Sequence, residues 1–133
     1  MPGSWFGRRD PILEPGMAAL SASVLAGESL VLVELAGSAD AAASGQLHDL
    51  LAERVAAGVE LVVDLSGVDF IDSACAGVLV TVCRDVEEVG GTLAMASPPE
   101  SAVARTLRLQ GVDQLIGVYD SVAEAVGPDL PPL

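Results

Sequence analysis

Apolar and polar positions along this chain change period several times, and each change marks an element. Leu30-Val31-Leu32-Val33-Glu34-Leu35 and Leu61-Val62-Val63-Asp64-Leu65 are short, β-branched runs that read as strands, the second suited to burial on both faces. Ala19 to Leu25 is a weaker strand, and the Gly27-Glu28-Ser29 turn joins it to the first as a hairpin. Thr92–Ala96 and Gln114–Tyr119 bring the strands to five. Between them the apolar spacing lengthens to a helical period. Leu47, Leu50, Leu51 and Val55 share one face of a helix that Gly37-Ser38-Ala39-Asp40 opens and Gly58 stops. Cys75, Val78, Leu79, Val82, Cys83, Val86 and Val89 form a second stripe, closed by Gly90-Gly91. A third helix runs from Ser97-Pro98-Pro99-Glu100 through Leu109 to Gly111, and Asp120-Ser121 caps a short fourth.

The order β-β-α-β-α-β-α-β-α predicts a single α/β domain over residues 18–127, a mixed, mostly parallel sheet of about five strands with about four helices. Residues 1–17, with Pro2, Gly3, Pro11, Pro15 and Gly16, read as a flexible N-terminal tail, and residues 128–133, with Pro131-Pro132, as a C-terminal one. Ser66-Gly67-Val68-Asp69 reads as the turn between the central strand and the second helix.

Charge then removes whole classes of function. Six arginines and no lysine stand against 19 Asp and Glu, a formal charge of −13. A basic footprint for a phosphate backbone is missing, so no nucleic-acid partner is expected. An anionic bilayer would repel the chain, and no apolar run approaches the roughly 20 residues that span one, so no membrane insertion is expected either. Arg8-Arg9 followed by Met17-Ala18-Ala19-Leu20 is not expected to act as an export signal, because Asp10, Pro11, Glu14 and Pro15 interrupt it. Cys75 and Cys83, two turns apart on one helix, cannot pair with each other. Free thiols suit a cytoplasmic protein. Neither cysteine has a metal-ligand spacing and His48 lies on the polar face of another helix, so neither a metal nor a cofactor is expected. Phosphate-binding glycine motifs are absent. A phosphatase-like loop on Cys75 would need a following arginine, and the next is Arg84. The reading is of a protein without catalytic residues.

The central strand ends in Asp64-Leu65-Ser66-Gly67-Val68-Asp69-Phe70-Ile71-Asp72-Ser73 and feeds directly into a helix. Asp72 or Ser73 supplies the N-cap oxygen. Strand carboxyl ends that meet helix N-termini are where open α/β sheets usually build sites. This stretch, with the following Gly77-Val78-Leu79, resembles the signature of the anti-sigma factor antagonist family, the STAS domains. Gly37 to Asp40 falls where that family has its Gly-x-x-Asp loop, and Val103, Arg105 and Gly111 resemble its looser third-helix pattern.

The resemblance covers Leu30 to Val126 and implies a STAS fold with Ser73 as phosphoacceptor and Asp40 beside it. Asp69, Asp72, Ala74, Cys75, Ala76 and Gly77 would complete the phosphosite surroundings and the partner-docking surface. It implies as partner an anti-sigma factor of the histidine-kinase-like ATPase type, bound by the unphosphorylated chain and released once Ser73 is phosphorylated. The chain would act as a monomer or weak dimer. Where the family commonly has Asp-Ser-Ser/Thr-Gly-Leu-Gly, this chain has Asp72-Ser73-Ala74-Cys75-Ala76-Gly77, which alters the docking surface and keeps the acceptor. The same family implies an alternative, an accessory or scaffold subunit of a transporter or stress-signalling complex without a phosphoswitch.

Overall fold

The computed structural model describes residues 6–11 and 20–126. Six strands form one sheet in the order of the chain: β1 (Phe6–Pro11), β2 (Leu20–Ala26), β3 (Leu30–Ala39), β4 (Glu60–Ile71), β5 (Thr92–Ala96) and β6 (Gly117–Tyr119). The pairs β1–β2 and β2–β3 are antiparallel; the other three are parallel. Helices α1 (Ser44–Ala52), α2 (Ser73–Glu88) and α3 (Ala102–Leu109) connect the parallel strands, and α4 (Val122–Val126) follows β6. Two 3-10 turns, Ala41–Ala43 and Val112–Gln114, precede α1 and β6.

Right-handed crossovers between parallel strands in sequential order place their helices on one face. Here Leu47, Leu51, Leu79, Val82, Val86 and Leu107 of α1–α3 form a single cluster with Val33, Leu61, Val63 and Met95 of the strands. Side chains alternate across a strand, so Val62 points the other way. It joins Leu30, Leu32 and Val126, where α4 covers the reverse face. Leu61, Val62 and Val63 are all 0% exposed, as expected of a strand covered on both sides. Gly91 has to lack a side chain, since a Cβ there would run into the Val59 carbonyl.

Three expectations need correction. Phe6–Pro11, assigned to a flexible tail, forms a sixth strand, paired from Phe6↔Ala26 to Pro11↔Ser21. The edge of β2 offers a row of backbone donors and acceptors, and proline is tolerated on an edge strand. The other positions of the two expected tails, 1–5, 12–17 and 128–133, lie outside the described residues. Ser66-Gly67-Val68-Asp69 is not a turn but the second half of a twelve-residue β4. The last strand is also shorter than Gln114–Tyr119, because a 3-10 turn follows the left-handed Gly111 and takes up Gln114.

The second half of β4 stays in the sheet by bulging. Register passes from Glu34↔Asp64 to Ala36↔Gly67 and from Gly37↔Val68 to Ser38↔Phe70, so β4 gains one residue on β3 at each step. At the first, the buried Asp64 carboxylate accepts the Ser66 amide at 2.9 Å. Gly67 follows where a Cβ would sit 3.0 Å from the Leu35 carbonyl oxygen and 3.2 Å from the Ala36 Cβ. Glycine there lets the two backbones approach. β3 and β4 are thereby carried past the last residue of β5 and finish side by side, Ala39 opposite Ile71.

Candidate functional site

Each of the two central strands, β3 and β4, runs into an aspartate that caps the next helical turn. Asp40, partly buried, accepts the Ala42 amide through Oδ1 at 3.1 Å and opens the first 3-10 turn. Asp72 accepts the Ala74 amide through Oδ1 at 2.7 Å and opens α2. The two corners are joined, since the Asp72 amide donates to the Ala39 carbonyl at 2.8 Å. The choice of N-cap is thereby settled as Asp72. Ser73 is the first helical residue and is exposed.

Changing Asp72 to alanine is expected to cost about 1 kcal/mol of stability through the lost cap, while Ser73→Ala stays within about 0.5 kcal/mol of wild type. Urea unfolding of both variants checks this, and a larger loss in Ser73→Ala than in Asp72→Ala would return the cap to Ser73.

Ala74 and Gly77 are exposed next to Ser73, and a Cβ on Gly77 would meet nothing within 4 Å. That glycine leaves the helix surface bare one turn beyond Ser73. Asp69 is exposed at the second bulge of β4. Cys75 and Ala76, expected on the docking surface, face the core instead, at 0% and 2% exposure. Their positions continue the inner stripe of α2, with Ala76, Leu79, Cys83 and Val86 at helical spacing. One exposed side chain escaped the sequence reading. Phe70 is 49% exposed, because the bulge at Asp69 shifts the alternation and leaves two consecutive residues outside. Of the candidate residues, Ser73, Ala74, Gly77 and Asp69 are therefore exposed, as is Phe70, while Asp40 and Asp72 are partly buried.

Burial pushes the Cys75 thiol up to about 11, and the negative charges of Asp72 and Asp40 add to the effect. Cys83 is raised by burial and by the charge and hydrogen bonding of Glu87. A reactive cysteine at a helix N-terminus needs the opposite shift. The sign for stability comes from linkage. The folded state keeps the Cys75 proton more tightly than the unfolded chain, so this contribution is complete below about pH 9 and is lost as pH rises from about 9 to 11. Denaturation midpoints should fall more steeply across that window in wild type than in Cys75→Ser, and parallel curves would refute the assignment.

Among the described residues, no group of His, Cys, Asp and Glu could hold a metal ion, and no helix is long and apolar enough to cross a membrane.

The family model described as "Mlab, STAS domain" matches residues 23–117, and the chain belongs to the STAS domain family. A Thermotoga neapolitana protein provisionally named an anti-sigma factor antagonist is 40% identical over 62 residues, 47% of this chain and 54% of that protein. The match thus spans about half the length of that relative. The fold is shared with an anti-sigma factor antagonist from Mycobacterium paratuberculosis, at TM-score 0.71, 21% identity and coverage of 80% and 91% of the two chains. It is shared too with the Bacillus cell fate determinant SpoIIAA in its phosphorylated form, at TM-score 0.59, 18% identity and coverage of 79% and 96%. The STAS domain of a SulP transporter from Vibrio cholerae also has this fold, at TM-score 0.58, 20% identity and coverage of 76% and 80%.

Proposed function

We propose that this chain is an anti-sigma factor antagonist switched by phosphorylation of Ser73. In the unphosphorylated state it binds an anti-sigma factor of the histidine-kinase-like ATPase type, which then releases its sigma factor. The bound ATPase phosphorylates Ser73, and the phosphorylated chain lets go. The chain contributes no catalytic residue; it is the kinase's substrate. The observation that carries this reading is the position of Ser73, exposed on the first turn of α2 while Asp72 takes the capping role. A hydroxyl so placed is accessible to a kinase without loss of the helix. The names of the relatives support the antagonist role, and a phosphorylated form of SpoIIAA supports a switch on this fold.

The test uses full-length Ser73→Ala and Ser73→Glu proteins as baits in native lysate, with phosphosite mapping of the wild-type chain. Retrieval of a histidine-kinase-like ATPase by the alanine form alone, with phosphate on Ser73 of wild type, is the expected result. Equal retrieval of one transporter or scaffold by both baits would replace this reading with the accessory-subunit one.

A further inference from the structure

The corner after β3 and the first turn of α2 meet through a contact between residues 35 positions apart. The Cys75 thiol donates to the Asp40 carbonyl oxygen at 3.2 Å. That oxygen has two lone pairs, and the other accepts the Ala43 amide at 3.0 Å. The Ala43 bond lies within the 3-10 turn itself. Only the thiol bond carries that oxygen across to α2. β3–β4 pairing stops at Ala39↔Ile71, and the amide bond from Asp72 to Ala39 is one residue short of Asp40. Beyond Ala39 the sheet no longer fixes the corner. Cys75 is 0% exposed and Asp40 is partly buried, so the donor side of the bond is shielded from water.

The contact accounts for the Cys75 position. A glycine there has no atom to offer, and an alanine fills the space without a donor. A thiol is small and apolar enough for the core and still brings a hydrogen. Neither the nucleophilic nor the metal-binding use of cysteine applies to a buried side chain bonded in this way.

We propose that Cys75 is a positioning residue whose thiol–carbonyl bond holds the Asp40 corner against the first turn of α2, setting the Asp40 carboxylate relative to Ser73. The relevance to Ser73 rests on the function proposed above; the clasp between corner and helix does not. With the bond removed, the corner keeps its own turn and moves more freely against α2.

Amide hydrogen exchange on the full chain, with Cys75→Ala and Cys75→Ser, tests the clasp. The Ala42 and Ala43 amides should exchange about fivefold faster in Cys75→Ala, the effect of losing one ordinary hydrogen bond, with the Val62 and Val63 amides unchanged. Serine restores a donor and should bring the rates back toward wild type. Unchanged Ala42 and Ala43 rates in Cys75→Ala, or no rescue by serine, would overturn the proposal. A second measurement needs no change at Cys75. In Cys83→Ala, Cys75 is the sole remaining thiol. Its S–H stretch should lie below that of a free thiol, and a band at the free-thiol position would overturn the proposal.

Mass spectrometry of Ser73 in the same proteins, expressed in their native host, separates the two claims. Phosphate on wild-type Ser73 that falls in Cys75→Ala and recovers in Cys75→Ser supports the positioning role. An equal phosphate fraction in all three overturns it. Absence of phosphate from wild type overturns the proposed function and with it the Ser73 clause, leaving the exchange result to decide the clasp.

Discussion

Leu79→Ala is expected to lower the stability of the domain by about 2–5 kcal/mol. Leu79 is 0% exposed in the middle of α2 and belongs to the cluster shared by α1–α3 and the strands. Truncation removes three heavy atoms' worth of buried apolar contact and leaves a cavity, because the stripe is packed on both sides by short residues. Ala76, Val82 and Cys83 on the same helix have no spare length with which to fill it. A domain of this size has about 5–15 kcal/mol of stability to lose, so the variant gives up a large share of it and should melt well below wild type. Val89→Ala is the control, since Val89 is 39% exposed beyond the end of α2 and should cost no more than about 0.5 kcal/mol. Urea unfolding followed by circular dichroism measures both. A loss below about 1 kcal/mol for Leu79→Ala would mean that α2 is not packed as described.

The elements that position Ser73 were legible because their signals are local. A β-branched run of strand length marks the first half of β4, and a helical apolar stripe marks α2. The strand-to-helix junction between them is implied by those two alone. What escaped depends on partners distant in sequence. β1 was hidden because proline and glycine content argues locally for a tail, whereas the strand exists through the open edge of β2. Ser66-Gly67 has the chemistry of a turn, but here Gly67 supplies the close approach to Leu35 and Ala36 that keeps a bulged strand in the sheet. Phe70 could not be placed without the bulge at Asp69, since regular alternation from the buried Val68 puts it inside. Ala76 was readable and misassigned. Its spacing to Leu79, Cys83 and Val86 already places it on the buried stripe. The Cys75–Asp40 bond left no mark in the sequence beyond a cysteine where the family pattern has glycine.

Ser73→Glu is expected to separate binding from stability. A phosphate on Ser73 adds about −1.5 to −2 charges, and a glutamate adds one. Within the domain the first turn of a sixteen-residue helix stabilises that charge by about 0.3–1 kcal/mol, and repulsion from the adjacent Asp72 offsets part of this. The exposed side chain displaces nothing, and Asp72 continues to cap. The variant should therefore unfold at close to the wild-type denaturant concentration. Toward the partner the same charge is unfavourable. In the proposed complex it adds to the negative charge of the exposed Asp69, and it must be desolvated when the partner docks. A coupling of about 1–3 kcal/mol corresponds to roughly 5–150-fold weaker binding of the proposed anti-sigma factor partner, with the single carboxylate at the lower end and phosphoserine at the upper. Ser73→Ala should bind within about twofold of wild type, since it removes neither a charge nor a cap. Calorimetry with the purified partner gives these affinities, and repeating it at higher salt gives their origin. An electrostatic penalty shrinks as the Debye length falls from about 10 Å at 0.1 M to about 3 Å at 1 M, whereas a steric one does not. Unchanged affinity in Ser73→Glu, or a parallel loss of binding and stability, would mean that charge at Ser73 does not control the interface. Weaker binding with undiminished stability and a salt-sensitive penalty is the combination that a local electrostatic switch requires.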